Sequence, residues 1–106
     1  MTETQLSTAI REALLATGKL ILWRSNTGKL QDRTGRWVTY GLGIGGADLV
    51  GILRPSGRFV AFEVKTPSGR ITPEQEAWHR VVNASGGFAC VVRSVDEALE
   101  KLRALT

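Results

Sequence analysis

The chain has 106 residues, 42% of them hydrophobic, and a net charge of +4, which fits one domain spanning 1–106 that buries about two-thirds of its unfolded surface without covalent staples. Its one cysteine, Cys90, excludes an internal disulfide framework and suits a reducing compartment. No apolar run approaches the ~20 residues of a spanning helix, and Met1-Thr2-Glu3 opens no secretory signal, so a soluble, cytoplasmic protein is expected.

The first helix is marked by a capping box, Thr2 with Gln5, in which each side chain satisfies the other's orphan amide. Leu6, Ile10, Ala13 and Leu14 then follow at helical spacing up to a stop at Gly18. Leu20 to Trp23 reads as a short apolar strand and Arg36 to Tyr40 as an alternating one. Ala47 to Leu53 and Arg58 to Lys65 flank the turn signal Arg54-Pro55-Ser56-Gly57. A second helix starts at the box Thr72 with Gln75, with Pro73 in its first turn. It is expected to turn Ala77, Trp78, Val81 and Val82 inward and to end near Gly86-Gly87. Phe88 to Val92 follows and reads as a buried strand. A third box, Ser94 with Glu97, opens a helix from Val95 to about Leu105. The order predicts an α/β sandwich whose hairpin is joined by a helical crossover to another strand.

The excess charge is local. Between Lys19 and Ala47, five cations (Lys19, Arg24, Lys29, Arg33 and Arg36) stand against Asp32 alone, and the rest of the chain is balanced. Such a segment suits a polyanion, because phosphate contacts release counterions and bind without reading sequence. A solvated loop that merely keeps the protein soluble explains it equally well.

The chemistry sits in the hairpin. If Arg54 to Gly57 form its turn, Leu53 faces Arg58 and Asp48 lies directly across from Glu63. Like charges opposed in this way are destabilising, and within apolar strands they call for a cation. Hard ions such as Mg²⁺ are held by one or two carboxylates together with phosphate oxygens and waters. Alternation places Phe59, Ala61, Glu63 and Lys65 on one face. Lys65 can therefore orient or deprotonate an attacking water, or neutralise charge developing on a phosphate. The bland alternative is an exposed hairpin with solubilising charges, but Val60, Phe62 and Val64 make the strand look central. Two more polar residues fall on apolar stripes: Glu3 aligns with Leu6, Ile10 and Leu14, and Gln75 with Trp78 and Val82. Each is either a residue of the same site or a helix-terminal cap bending out to water.

Glu3, Gly46-Ala47-Asp48-Leu49-Val50-Gly51, Phe62-Glu63-Val64-Lys65 and Gly69-Arg70-Ile71-Thr72-Pro73-Glu74-Gln75 together resemble the virus-type replication-repair nuclease (VRR-NUC) family. This is a branch of the PD-(D/E)XK superfamily, and the likeness runs over nearly the whole chain. It implies a restriction-endonuclease-like core, a mixed central sheet flanked by helices. It also implies Asp48, Glu63 and the Val64 backbone carbonyl as metal ligands, Lys65 as the catalytic lysine, and Glu3 and Gln75 at the edge of the site. Mg²⁺, with Mn²⁺ as a substitute, is the implied cofactor, and branched DNA the implied substrate. Where the superfamily has a proline before the aspartate, this chain has Ala47. Lys29, Arg33, Arg36 and Arg70 are the expected DNA-binding residues.

Other residues carry less. His79 is the sole histidine and is expected on a helix surface; with no second histidine, zinc and Cys-His chemistry have no support. Gly41, Gly43, Gly45 and Gly46 lead into a strand with no Walker lysine, so they are expected to let backbone approach DNA or to form a flap. Trp37 and Tyr40 could stack on bases, although half-buried strand aromatics are the simpler expectation. The function expected is a DNA endonuclease, selective for branched structures such as four-way junctions and acting as a homodimer. The alternatives are a site-specific or nicking endonuclease on duplex DNA, or a non-catalytic DNA-binding module.

Overall fold

A computed structural model describes residues 1–106. Its elements are α1 (Glu3–Ala16), β1 (Leu20–Arg24), β2 (Gly28–Gln31), β3 (Trp37–Tyr40), β4 (Leu49–Leu53), β5 (Phe59–Val64), α2 (Pro73–Ala84), β6 (Phe88–Val92) and α3 (Val95–Leu105). Four strands form a mixed sheet in the order β1-β4-β5-β6. The first two pairings are antiparallel, and β6, reached through the α2 crossover, runs parallel to β5. The expected mixed sheet with helices on both faces is what the chain forms.

On one face, α1 and α3 cover the main core. Leu6, Ile10 and Leu14 lie at four-residue intervals along α1 and pack with Leu20, Leu22, Leu49, Leu53, Val60, Phe62, Val64, Val92, Ala98 and Leu102. Each such large side chain contributes roughly 1.5–3 kcal/mol on burial. On the other face the sheet is lined by small residues, Ala47, Ala61 and Ala89, under Trp78 and Val82 of α2. The turn holds the expected register: the Leu53 amide donates to the Arg58 carbonyl at 2.8 Å, and Leu49 pairs with Phe62. Gly51 is buried where β4 meets β1, and a side chain there would strike the Ile21 carbonyl.

The structure corrects several expectations. The inward face of α2 is Gln75, Trp78, His79 and Val82, an i, i+3, i+4, i+7 stripe. His79 is therefore buried, whereas Ala77 is exposed and Val81 is 66% exposed; apolar identity misled where helical phase did not. The boxes at Thr2 and Thr72 are complete. At α3, Ser94 caps the Glu97 amide, but Glu97 Oε1 accepts from the Arg93 amide, one residue further back. The basic segment is not a loop with one strand. Gly28–Gln31 pairs with Trp37–Tyr40 as a separate two-stranded hairpin. Trp37 and Tyr40 are not half-buried in it but 67% and 46% exposed.

Candidate active site

Backbone pairing of β4 with β5 ends at Leu49 and Phe62, and beyond that rung side chains take over the ladder. The Asp48 amide donates to Glu63 Oε2 at 3.1 Å, and the Val64 amide donates to Asp48 Oδ2 at 3.0 Å. Each acid thus accepts a hydrogen bond from the opposite chain segment, and the two carboxyls meet where the register placed them. Lys65 Nζ lies 3.7 Å from Glu63 Oε1. Gln75 closes the other side: its Nε2 donates to Glu63 Oε1 at 2.6 Å, while its Oε1 accepts from the Thr72 amide at 2.9 Å. Cap and site are therefore not alternatives for Gln75. The helix terminus fixes which end of the amide faces the carboxylate, because only the oxygen can accept from Thr72.

Burial dominates the electrostatics. Glu63 is 2% exposed, and loss of solvent, followed by the charge of Asp48, pushes its carboxyl up to about 7; Lys65 and the Asp48 amide pull it down, and Glu3 adds a further upward push. Asp48 is raised for the same first reason, burial, against the Val64 amide, Lys65 and Arg24. Glu3 is exposed at the start of α1 and accepts no hydrogen bond; its charge reaches Glu63 from the rim.

The residues suit a hard divalent cation. Two adjacent carboxyls supply oxygen ligands, and Asp48 Oδ1 is the one oxygen of the four that accepts no hydrogen bond. A pair of carboxylates matches an ion that keeps waters and takes substrate oxygens.

None of the expected DNA-binding residues hydrogen-bonds or forms an ion pair with Asp48 or Glu63. Lys29, Arg33 and Arg36 are exposed on or beside the β2–β3 hairpin, and Arg36 is engaged with Asp32 at 3.3 Å. Arg70 is exposed in the loop between β5 and α2. Arg93, which sequence reasoning passed over, fixes that loop by donating to the Thr66 and Gly69 carbonyls at 2.8 and 2.6 Å. The glycine segment lies against α2. Trp78 Nε1 donates to the Leu42 carbonyl at 3.1 Å, and Gly45, at φ +87, packs so closely on the first turn of α2 that a side chain would strike the Glu74 carbonyl. His79 is held below its ordinary range by burial and packs edge-on against Trp78. Burial also pushes the Cys90 thiol up to about 12, which leaves it protonated and without nucleophilic character.

The mixed sheet flanked by helices is compatible with a restriction-endonuclease-like fold. The family model described as the VRR-NUC domain matches residues 1–96. The chain belongs to that family of nucleases, which act on DNA and have a PD-(D/E)XK-like fold that generally employs divalent metals. No curated protein matches the chain. No helix is long and apolar enough to cross a membrane.

Proposed function

We propose that the whole chain works as one nuclease domain: a divalent-metal-dependent DNA endonuclease, with Mg²⁺ as the ion and Mn²⁺ as its substitute. The observation that carries this reading is the reciprocal pairing of Asp48 and Glu63 across the end of the hairpin, with Lys65 Nζ 3.7 Å away. Asp48, Glu63 and the Val64 carbonyl would hold the ion, which when bound polarises a phosphoryl oxygen and lowers the pKa of a water. Lys65 orients the attacking water or neutralises charge developing on the phosphate as the phosphodiester bond breaks. Gln75 holds the Glu63 carboxylate in place, and Glu3 adds negative charge at the rim. Lys29, Arg33, Arg36 and Arg70 contact backbone phosphates.

Branched DNA, such as a four-way junction, is the proposed substrate. One chain carries one acid pair, so coordinated cutting of two strands needs two chains, and a two-fold homodimer is the simplest source. The reading places this activity in the cytoplasm of a bacterial or phage-infected cell.

Labelled duplex, flap and four-way DNA incubated with wild type and Asp48→Asn, in Mg²⁺, Mn²⁺ or EDTA, tests the proposal. Cleavage by wild type with either metal, none in EDTA and none by the variant is expected, with DNA binding retained. Cleavage by Asp48→Asn at the wild-type rate would refute the metal pair. A monomer in light scattering, together with equal cutting of duplex and junction, would refute the assembly and the substrate preference.

A further inference from the structure

The surface has one cavity, a cleft of about 100 Å³ lined by Ser7, Thr8, Arg11, Arg24 and Leu49. Its position follows from strand alternation. Leu20 and Leu22 are buried on the face of β1 that packs under α1, and Arg24, the next residue of that face, reaches past the core at the strand's end. Ser7 and Arg11, one turn apart on α1, meet it there, and Ser7 is 5% exposed.

Two guanidinium groups and two hydroxyls line this cleft, and no acid does. Neither arginine is in an ion pair; the two salt bridges of the molecule are Arg36 with Asp32 and Lys65 with Glu63. Arg11 Nε is buried and has no hydrogen-bond partner. A donor stripped of water and left unpaired is costly, and folded proteins rarely keep one without a reason. Two unpaired guanidiniums beside one cleft are best met by an oxyanion, the acceptor their planar forks match. Sites for drug-sized ligands occupy ~300–1,000 Å³, so this cleft suits one tetrahedral group and not a nucleoside.

The cleft adjoins the acid pair. Arg24 pairs across the sheet with Leu49, the residue after Asp48, and the Ser25 amide donates to the Asp48 carbonyl at 2.7 Å. The cleft opens on the α1 side of β4, where Leu49 packs, while Glu63 at the same end of the sheet is met from the α2 side by Gln75. We propose that Arg11, Arg24, Ser7 and Thr8 bind a second, non-reacting phosphate of the DNA strand being cut. This rests on the nuclease reading of Asp48 and Glu63. An internal phosphodiester and a terminal phosphate present the same chemistry to the cleft.

Inorganic phosphate titrated into the metal-free protein, followed by the NMR signals of the arginine Nε–H groups, tests the site without any cleavage. The Arg11 and Arg24 signals should shift saturably in wild type, and the saturable response should be lost in Arg11→Gln. Unmoved signals, or an unchanged response in the variant, would overturn the site. Cleavage kinetics on oligonucleotides with hydroxyl, 5′-phosphate or 3′-phosphate ends then test its use. Arg11→Gln and Arg24→Gln should raise KM by about tenfold with a much smaller change in kcat, the signature of lost ground-state binding. Arg11→Lys, which keeps the charge, should recover part of it and guards against misfolding. An equal rise on all ends assigns an internal phosphate, and a rise confined to phosphorylated ends assigns a terminal one. An unchanged KM beside a positive phosphate titration would overturn the assignment to the cut strand. Absence of cleavage by wild type would refute the nuclease reading, while the phosphate titration would still decide the site.

Discussion

Glu63 should make the metal-free protein less stable as pH rises. Its carboxyl titrates at about 7 in the folded chain against 4.5 for the ordinary group, so the folded state binds this proton more tightly than the unfolded state. The stability it contributes is full below about 4.5 and is lost as pH rises through about 7. The difference corresponds to at most roughly 3 kcal/mol at 1.36 kcal/mol per pKa unit. Asp48, also raised, acts in the same direction. His79 acts oppositely: its pKa is depressed, so the stability it contributes is present above its unfolded value and is lost as pH falls through the folded one. Urea unfolding in EDTA from pH 5 to pH 8, on wild type and Glu63→Gln, separates these contributions, because His79 is common to both proteins. With an m-value of about 1.5 kcal/mol/M, the Glu63 share amounts to up to roughly 2 M in the midpoint. Wild type should fall more steeply with pH than Glu63→Gln, and Mg²⁺ at pH 8 should restore wild type more than the variant. Parallel profiles for the two proteins in EDTA would refute the reasoning.

The remaining predictions concern chemistry and substrate binding. Lys65→Ala should slow single-turnover cleavage by about 10²-fold or more, the range of a positioned acid–base group, while metal affinity from calorimetry changes little; a loss confined to KM would make Lys65 a phosphate anchor. Gln75→Ala should cost about 1 kcal/mol in urea unfolding, because the capping box opens, and lower kcat as well, whereas a stability loss with unchanged kcat would leave Gln75 a cap alone. Reversing Lys29, Arg33 and Arg36 to Glu should weaken binding to duplex and junction alike, and flatten the logarithmic salt dependence by about 0.9 for each phosphate that is no longer neutralised; an unchanged slope would make these charges solubilisers.

What could be read from sequence was what local chemistry dictates. The turn Arg54 to Gly57 pinned the register, and the register alone opposed Asp48 and Glu63. The boxes at Thr2 and Thr72 set two helix starts because each closes within four residues. The misreadings arose where a residue's type and its position disagree. His79 lies in the buried phase of α2 although it is polar, and Val81 is exposed although it is apolar. Gly28–Gln31 carries little apolar signal and is a strand only because Trp37–Tyr40 returns beside it. The arginine cleft was not legible because it joins α1 to the end of β1, and no local pattern connects Arg11 with Arg24. Alternation from Leu20 through Leu22 did put Arg24 on the face that α1 covers, which was the one available signal.

The cost of the acid pair also explains the asymmetry of the sheet. A buried carboxyl and a half-buried one that repel each other, Glu63 and Asp48, would swing apart if their strands could move. On the α1 side β5 is anchored by Val60, Phe62 and Val64, each fully buried, so the backbone that bears Glu63 is held by the main core. On the α2 side the sheet is lined with alanines at 47, 61 and 89. Small side chains there let the helix approach closely enough for Gln75, in its first turn, to reach Glu63 at 2.6 Å. Larger residues would fill the layer better by area alone, but they would lift the first turn of α2 away from the carboxylate. The weakly packed face is thus the one on which Gln75 reaches Glu63. The heavily packed face supplies the rigidity that holds two like charges at one end of a hairpin, the arrangement a functional site needs from its supporting elements.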